Sequence, residues 1–353
     1  MKKILLFIIL LFPLMVNADL KVTSHYIDAE IEIAGGLNVK ELIIVEGEGD
    51  FLYRTLNYYS FGDKHFQVGD EVNLDNGIIY NGQSLSISSV GAFEVTDKIE
   101  FNSFSDNVKE YFSEFDIKNP KDSTYFYEDH NDGTGSLKIN YPVKNKKIAF
   151  YINYIITNVV VKHNDVKEIN YSFKNLKYKP KETILRVIIP YQTEDELYHV
   201  WMHGNQSGQV QELIDASGNK AGIYASFPEV DDVINFRMTL PQEHVGIDMF
   251  LNKSNIDALD RIIKIEDDRL LQTNKNNSII NIMKYALLTI GILYILVAYF
   301  VYNNKNNVLF IVYIAFGLFL CLFNYLFKFN YWYLYSVIIL PIMMLIFKRK
   351  NVK

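Results

Sequence analysis

Residues 27–46 read IDAEIEIAGGLNVKELIIVE. Ile27, Ala29, Ile31 and Ile33 alternate with Asp28, Glu30 and Glu32, which sets aliphatics on one face of a strand and acids on the other. Gly35-Gly36 supplies the positive φ angles of a tight turn, and Leu37 to Glu46 returns as a second strand. A hairpin with one greasy face needs further strands to cover it, and the sequence offers them. Turn signals stand at Asn76-Gly77, Asn81-Gly82 and Asp132-Gly133. Leu137, Ile139 and Tyr141 alternate with Lys138 and Asn140; Ile148 to Val161 is a long β-branched and aromatic run; Ile169, Tyr171 and Phe173 alternate again. Short strands at this spacing predict an antiparallel β-sandwich over 19–180. Residues 102–127 are the least regular part, a short helix or a long loop. Beyond Pro180, Ile184–Ile189, Leu197–Met202, Ile223–Ser226 and Val233–Leu240 predict a second β-rich part over 181–252, too small to stand without the first.

Upstream, Met1 to Ala18 has the basic end (Lys2, Lys3), apolar core (Ile4–Val16) and small-residue close (Val16-Asn17-Ala18) of a signal peptide cleaved after Ala18. Downstream, Ser254 opens a helical pattern carrying Ile256, Leu259, Ile262 or Ile263, and Leu270, so 253–277 reads as a juxtamembrane amphipathic helix ending in the polar joint Gln272–Asn277. Three charge-free runs follow: Tyr285–Tyr302, Val308–Phe327 and Tyr331–Phe347. An eighteen-residue helix is about 27 Å long, close to the ~30 Å hydrocarbon core. These runs predict transmembrane helices over 285–302, 308–327 and 331–347, the last two spanning or forming a re-entrant hairpin.

Charge gives the orientation. After Asp268 there is no acidic residue, while eight Lys or Arg follow Arg269. Lys305 and the tail 348–353 (Lys348, Arg349, Lys350, Lys353) then lie on the cytoplasmic side, as the positive-inside rule requires. The expected location is the plasma membrane, multi-pass, with the N-terminal domain extracellular or periplasmic. Segment 19–270 holds all 41 acidic residues and 25 of the 35 basic ones. That surplus of acid argues against nucleic acid as a partner. The single cysteine, Cys321, lies in the second apolar run, so no disulfide staples the outer domain and no cysteine-based zinc site exists there.

Candidate chemistry is sparse. His199-Val-Trp-Met-His203 places two histidines four apart, but Val200 stands where a zinc protease needs Glu, and on a strand the two are ~13 Å apart. The bland reading puts Trp201 in a core and His203 at a turn. Glu128 to Thr134 is oxygen-rich like a calcium loop, yet Gly133 is one place early and no Glu closes the loop, which favours an Asp-Gly hairpin turn. Tyr53-Arg54 sets a cation beside an aromatic, either as a binding surface or with Arg54 held in a structural ion pair. Tyr53, Arg54, Trp201 and His203 are therefore the candidate binding residues; no catalytic residue, metal or cofactor is assigned.

GLNVKE with Gly36, Leu37, Val39 and Glu41, then Tyr53-Arg54, FYINYIITNVV with Tyr154, Glu168 to Tyr171, and His203-Gly204 with Gly208 resemble a family of predicted bacterial membrane proteins, the domain of unknown function 2207. The resemblance implies an exported β-rich domain, membrane spans and no assigned activity. Many members end in a glycine-rich cytoplasmic tail, whereas this chain ends KRKNVK. The expected function is a non-catalytic binding or envelope-organising module on the bacterial cell surface. The alternatives are an envelope hydrolase with an unidentified carboxylate site, or an accessory subunit of a membrane complex. Expected partners are the lipid bilayer and envelope or membrane proteins.

Overall fold

A computed structural model describes residues 20–58, 82–96, 99–114, 122–174, 180–193, 196–204, 208–228, 233–245, 251–254 and 256–303. The expected signal peptide, the runs 308–327 and 331–347, the basic tail and Cys321 lie outside them. The strands are β1 (Lys21–Ile31), β2 (Leu37–Glu46), β3 (Glu48–Asn57), β4 (Leu85–Glu94), β5 (Ser113–Glu114), β6 (Thr124–Asp129), β7 (Thr134–Lys144) and β8 (Ile148–Ile156). They continue with β9 (Val160–Lys162), β10 (Lys167–Phe173), β11 (Glu182–Thr193), β12 (His199–His203), β13 (Gln209–Ile214), β14 (Lys220–Pro228), β15 (Ile234–Leu240) and β16 (Asn252–Lys253). One α-helix, α1 (Leu259–Asn303), follows.

Three sheets form: a seven-stranded one in the order β13-β14-β11-β1-β2-β8-β4, a five-stranded one β12-β15-β10-β9-β16, and a four-stranded one β3-β7-β6-β5. One apolar core joins them. The seven-stranded sheet gives it Ile27, Val39, Ile43, Phe150, Ile152 and Leu185; the four-stranded sheet Leu52, Leu137 and Ile139; the five-stranded sheet Ile169, Tyr171, Phe236 and Met238. The alternation read from residues 27–46 is the β1–β2 pairing, with Ile27 opposite Glu41 and Ile31 opposite Leu37. Gly35 makes the turn at φ +83°, and a Cβ there would strike Leu251. Asp132-Gly133 does turn β6 into β7, with Asn131 and Gly133 both at positive φ.

The strands beyond Pro180 enter the same sheets as those before it. β11 lies parallel to β1, with Ser24 opposite Glu182 and Glu30 opposite Ile188, while β15 pairs with β10. Residues up to Ile265 accordingly form one compact unit and the remainder a second. A seventy-residue piece buries too little of its own surface, and sharing sheets is how it closes. The β1–β11 pair also departs from an all-antiparallel arrangement. Residues 101–107, in the irregular stretch, form a 3-10 helix over the outer face of the seven-stranded sheet. There Phe104 packs with Leu42, Ile44, Ala149 and Tyr151, and the Arg186 guanidinium sits 5.1 Å from the Phe101 ring centre.

Helix α1 starts at Leu259 rather than at Ser254. Its cap comes from another part of the chain: the Asp165 carboxylate, in the β9–β10 turn, accepts from the backbone N–H of Ala258 (2.8 Å) and of Leu259 (2.9 Å). Ala258 and Ile262 pack with Val161, Val166 and Trp201. The helix runs unbroken through Gln272–Asn277, where a joint is expected, and through Tyr285–Tyr302. Good helix formers such as Gln, Lys and Leu around that joint let it continue. Among the residues whose side chains are described, no helix is long and apolar enough to cross a membrane; of Tyr285–Tyr302 only Tyr285 and Ala286 belong to that set.

Removing the borrowed cap exposes its value. Asp165→Ala should lower the stability of the first unit by about 1 kcal/mol, read as a lower thermal midpoint of the full chain in detergent, while Asp165→Asn keeps part of the effect.

Candidate functional site

Strand periodicity sends Tyr53 and Arg54 to opposite faces of β3. Arg54 points inward and is 3% exposed. It meets Glu41 of β2, which is fully buried: Arg54 Nε donates to Glu41 Oε2 (2.9 Å) and Nη2 to Oε1 (3.0 Å). His25 Nε2 lies 2.9 Å from Glu41 Oε2, and the Tyr154 hydroxyl donates to Oε1 at 2.6 Å. Arg54 Nη1 also donates to the carbonyls of Thr55 and Lys174. Burial pushes the Glu41 carboxyl up, but Arg54 and His25 outweigh it and hold it well below the usual range. Burial lowers the His25 imidazole against the pull of Glu41, so it is neutral at pH 7. The cluster thus contains one negative and one positive charge, both satisfied, which is the condition under which charges survive in a core. Arg54 is thus held in an ion pair with Glu41 in the core.

A second buried cluster lies on the far face of the five-stranded sheet. Glu168 Oε1 accepts from Arg237 Nε at 2.6 Å, and Oε2 faces His163 Nε2 at 2.9 Å. His163 Nδ1 hydrogen-bonds Ser254 Oγ. Burial raises the Glu168 carboxyl, yet Arg237 and His163 more than offset this, so it is ionised. An ionised Glu168 accepts from the Nε2–H, and Nδ1 faces the Ser254 hydroxyl. Serine, imidazole and carboxylate therefore stand in the order of an acyl-transfer relay, with the ring nitrogens exchanged relative to the familiar triad. Ser254 and His163 are each 1% exposed.

Trp201 and His203 lie on this same face. In register across β10, β15 and β12 stand Glu168, Thr239 and His199; then Asn170, Arg237 and Trp201; then Ser172, Asn235 and His203. Trp201 stacks on His199 (5.6 Å between ring centres) and packs against the start of α1, so it is partly core, as its bland reading has it. Asn235 Nδ2 donates to Asn170 Oδ1 and to the Tyr171 carbonyl. Among the described residues, Asn170 Nδ2, Ser172 Oγ and Asn235 Oδ1 have no hydrogen-bond partner.

Tyr53 faces outward, 49% exposed, on the four-stranded sheet. It meets Phe51 edge to face at 4.9 Å, and Lys138 Nζ stands 4.8 Å from the Phe51 ring centre and 5.7 Å from that of Tyr53. Among the described residues no three His, Cys, Asp or Glu side chains gather as metal ligands. In the 129–134 turn Asp129 accepts from Tyr58 and Asn131, and Asp132 from Thr134. These are the internal bonds of a hairpin turn.

Sequence reasoning named Glu41, Tyr154 and Glu168 without giving them a role, gave Ser254 only a helix-opening one, and missed His25, His163 and Arg237. Their one signal is a charged or polar residue on the apolar side of a strand pattern, as Glu41 is between Val39 and Ile43.

Acid should undo the Glu41 cluster. His25 has a folded pKa below its ordinary 6.5, so the unfolded chain binds that proton first as pH falls. The loss of stability then approaches about 1.4 kcal/mol per pH unit, and the depressed Glu41 adds to it below its ordinary 4.5. Thermal midpoints of the full chain should fall between pH 7 and pH 5, and His25→Gln should flatten that slope. Glu41→Leu, which strands Arg54, should cost about 3–5 kcal/mol.

A search of curated proteins gives no significant match. Solved structures give weak likenesses. One is a candidate protease from Parabacteroides distasonis at 11% identity and TM-score 0.34, covering 63% of this chain and 40% of that one. Another is an M1 zinc metallopeptidase from Deinococcus radiodurans at 8% identity and TM-score 0.29, covering 64% and 43%. The chain thus spans about two fifths of the length of these proteins. The family comparison is decisive: the family described as "Predicted membrane protein (DUF2207) N-terminal domain" matches residues 21–257, the strands that build both buried clusters, and the chain belongs to that family.

Proposed function

We propose that this chain is a membrane-anchored, non-catalytic binding module of the bacterial envelope, its β unit outside the plasma membrane and its C-terminus inside. The observation that carries the reading is where the chemistry sits. Both Glu-His-Arg clusters are buried and spent on one another. The outward side of the four-stranded sheet instead offers Phe51 and Tyr53, 42% and 49% exposed, beside Lys138. Adjacent exposed aromatics are the residues enriched at protein-contact surfaces. An envelope or membrane protein is the partner such a surface fits. The acidic balance of 19–270, the charge-free runs after Lys284 and the basic tail support the topology.

The topology is tested by labelling. In a Cys321→Ser background, Ser217→Cys, at an exposed turn, should react with a membrane-impermeant maleimide in intact cells or spheroplasts. Protection until lysis would overturn an external β unit. The binding face is tested by in-cell crosslinking from a photoreactive residue at position 53: a discrete adduct lost in Phe51→Ser is the expected result.

One arrangement favours a second reading, an envelope hydrolase: the Ser254–His163–Glu168 relay. A fluorophosphonate probe separates the two. The binding module should leave Ser254 unlabelled, whereas labelling abolished by Ser254→Ala and by His163→Ala would establish the hydrolase.

A further inference from the structure

Among the described residues, strand β13 is the outermost strand of the seven-stranded sheet and pairs with β14 alone. It reads QVQELI, and every residue but Leu213 is exposed, Val210 at 51% and Ile214 at 60%. A strand with one neighbour leaves the N–H and C=O groups of alternate residues without a ladder partner. Natural edges are guarded against pairing by Lys, Pro, bulges or a covering segment. The opposite edge of this sheet has such a guard: the Phe112 N–H donates to the Val90 carbonyl at 2.8 Å and Tyr111 bridges to Gly91. β13 has no Lys, Arg, Pro or Gly. Its one charge, Glu212, is paired with Lys220 at 3.5 Å, and its one register shift comes at the last residue. It is a β-prone, almost uncharged edge with both faces open.

We propose that β13 is the surface through which a second copy of this chain docks, antiparallel, so that two seven-stranded sheets become one continuous sheet. The edge supplies its own complement, since its free donors and acceptors match those of an identical strand under a twofold axis. The axis stands perpendicular to the sheet, so residues on the same face must oppose one another. Centring it on Glu212 would set two carboxylates directly opposite, which is repulsive. Centring it on Val210 would leave Leu213 and Ile214 without partners. Centring it on Gln211 pairs Gln211 with itself, Val210 with Glu212, Gln209 with Leu213 and Gly208 with Ile214, and uses the whole strand.

That register makes a charge test possible at exposed positions that leave the fold intact. The full chain in detergent should be dimeric at micromolar concentration by light scattering. Val210→Glu, placed against Glu212 of the second copy twice over, should weaken the dimer about tenfold or more. Val210→Lys should not, and Val210→Glu with Glu212→Lys should restore it. In a Cys321→Ser background, Gln211→Cys should form an intermolecular disulfide and Ser217→Cys should not. A monomeric wild-type chain would overturn the proposal, and so would a dimer indifferent to Val210→Glu.

Discussion

A single carboxylate in the core sets the terms for the rest of the β unit. Glu41 has no access to water, so everything around it must supply what water would have supplied. Arg54 does so with two parallel hydrogen bonds, Tyr154 with a third, and the neutral His25 ring with a fourth. These groups come from β2, β3, β8 and β1, so the seven-stranded and four-stranded sheets are fixed to each other by charge as well as by apolar contact. The five-stranded sheet is tied in next door: Asn57 donates to the Ser172 carbonyl at 2.8 Å, and the Tyr171 hydroxyl donates to the Asn57 carbonyl. An apolar core alone would let the sheets slide; a bidentate Arg–Glu pair has one geometry, and it selects the register.

The Glu168 cluster repeats this logic at the other end of the five-stranded sheet, where it secures the approach to α1. His163 spans from Glu168 to Ser254, the Ser254 N–H donates to the Lys162 carbonyl, and Asp165 caps the helix. Val161 of β9, with His163 and Asp165 of the β9–β10 turn, thus holds the segment that leads into the helix and the helix start itself. Whatever moves the polar face of that sheet acts on the helix start through this turn.

How far the sequence discloses this can be stated residue by residue. Strands with one apolar and one polar face, β1, β2, β7 and β10 among them, are legible because their residue types alternate with period two. β13 is not, since both its faces are exposed and QVQELI has no side to prefer. The side-to-side opposition of Tyr53 and Arg54 follows from the same period, and it separates two residues that look like one site. The clusters themselves were out of reach: Arg54 lies 13 residues from Glu41 and Tyr154 lies 113, while Ser254 lies 91 from His163. Only the sheet order brings them together, and that order includes a parallel pair that local pattern does not encode.

The parallel pairing of β1 with β11 has a consequence for how the molecule is made. Ser24 to Glu30 meet β2 at once, but find their second neighbour only when Glu182 to Ile188 exist and are free to pair. The β1–β11 pairing in the middle of the largest sheet closes a loop of some 158 residues, and a contact of that separation forms slowly. β1 therefore cannot lock into its finished sheet until the chain as far as Ile188 is available.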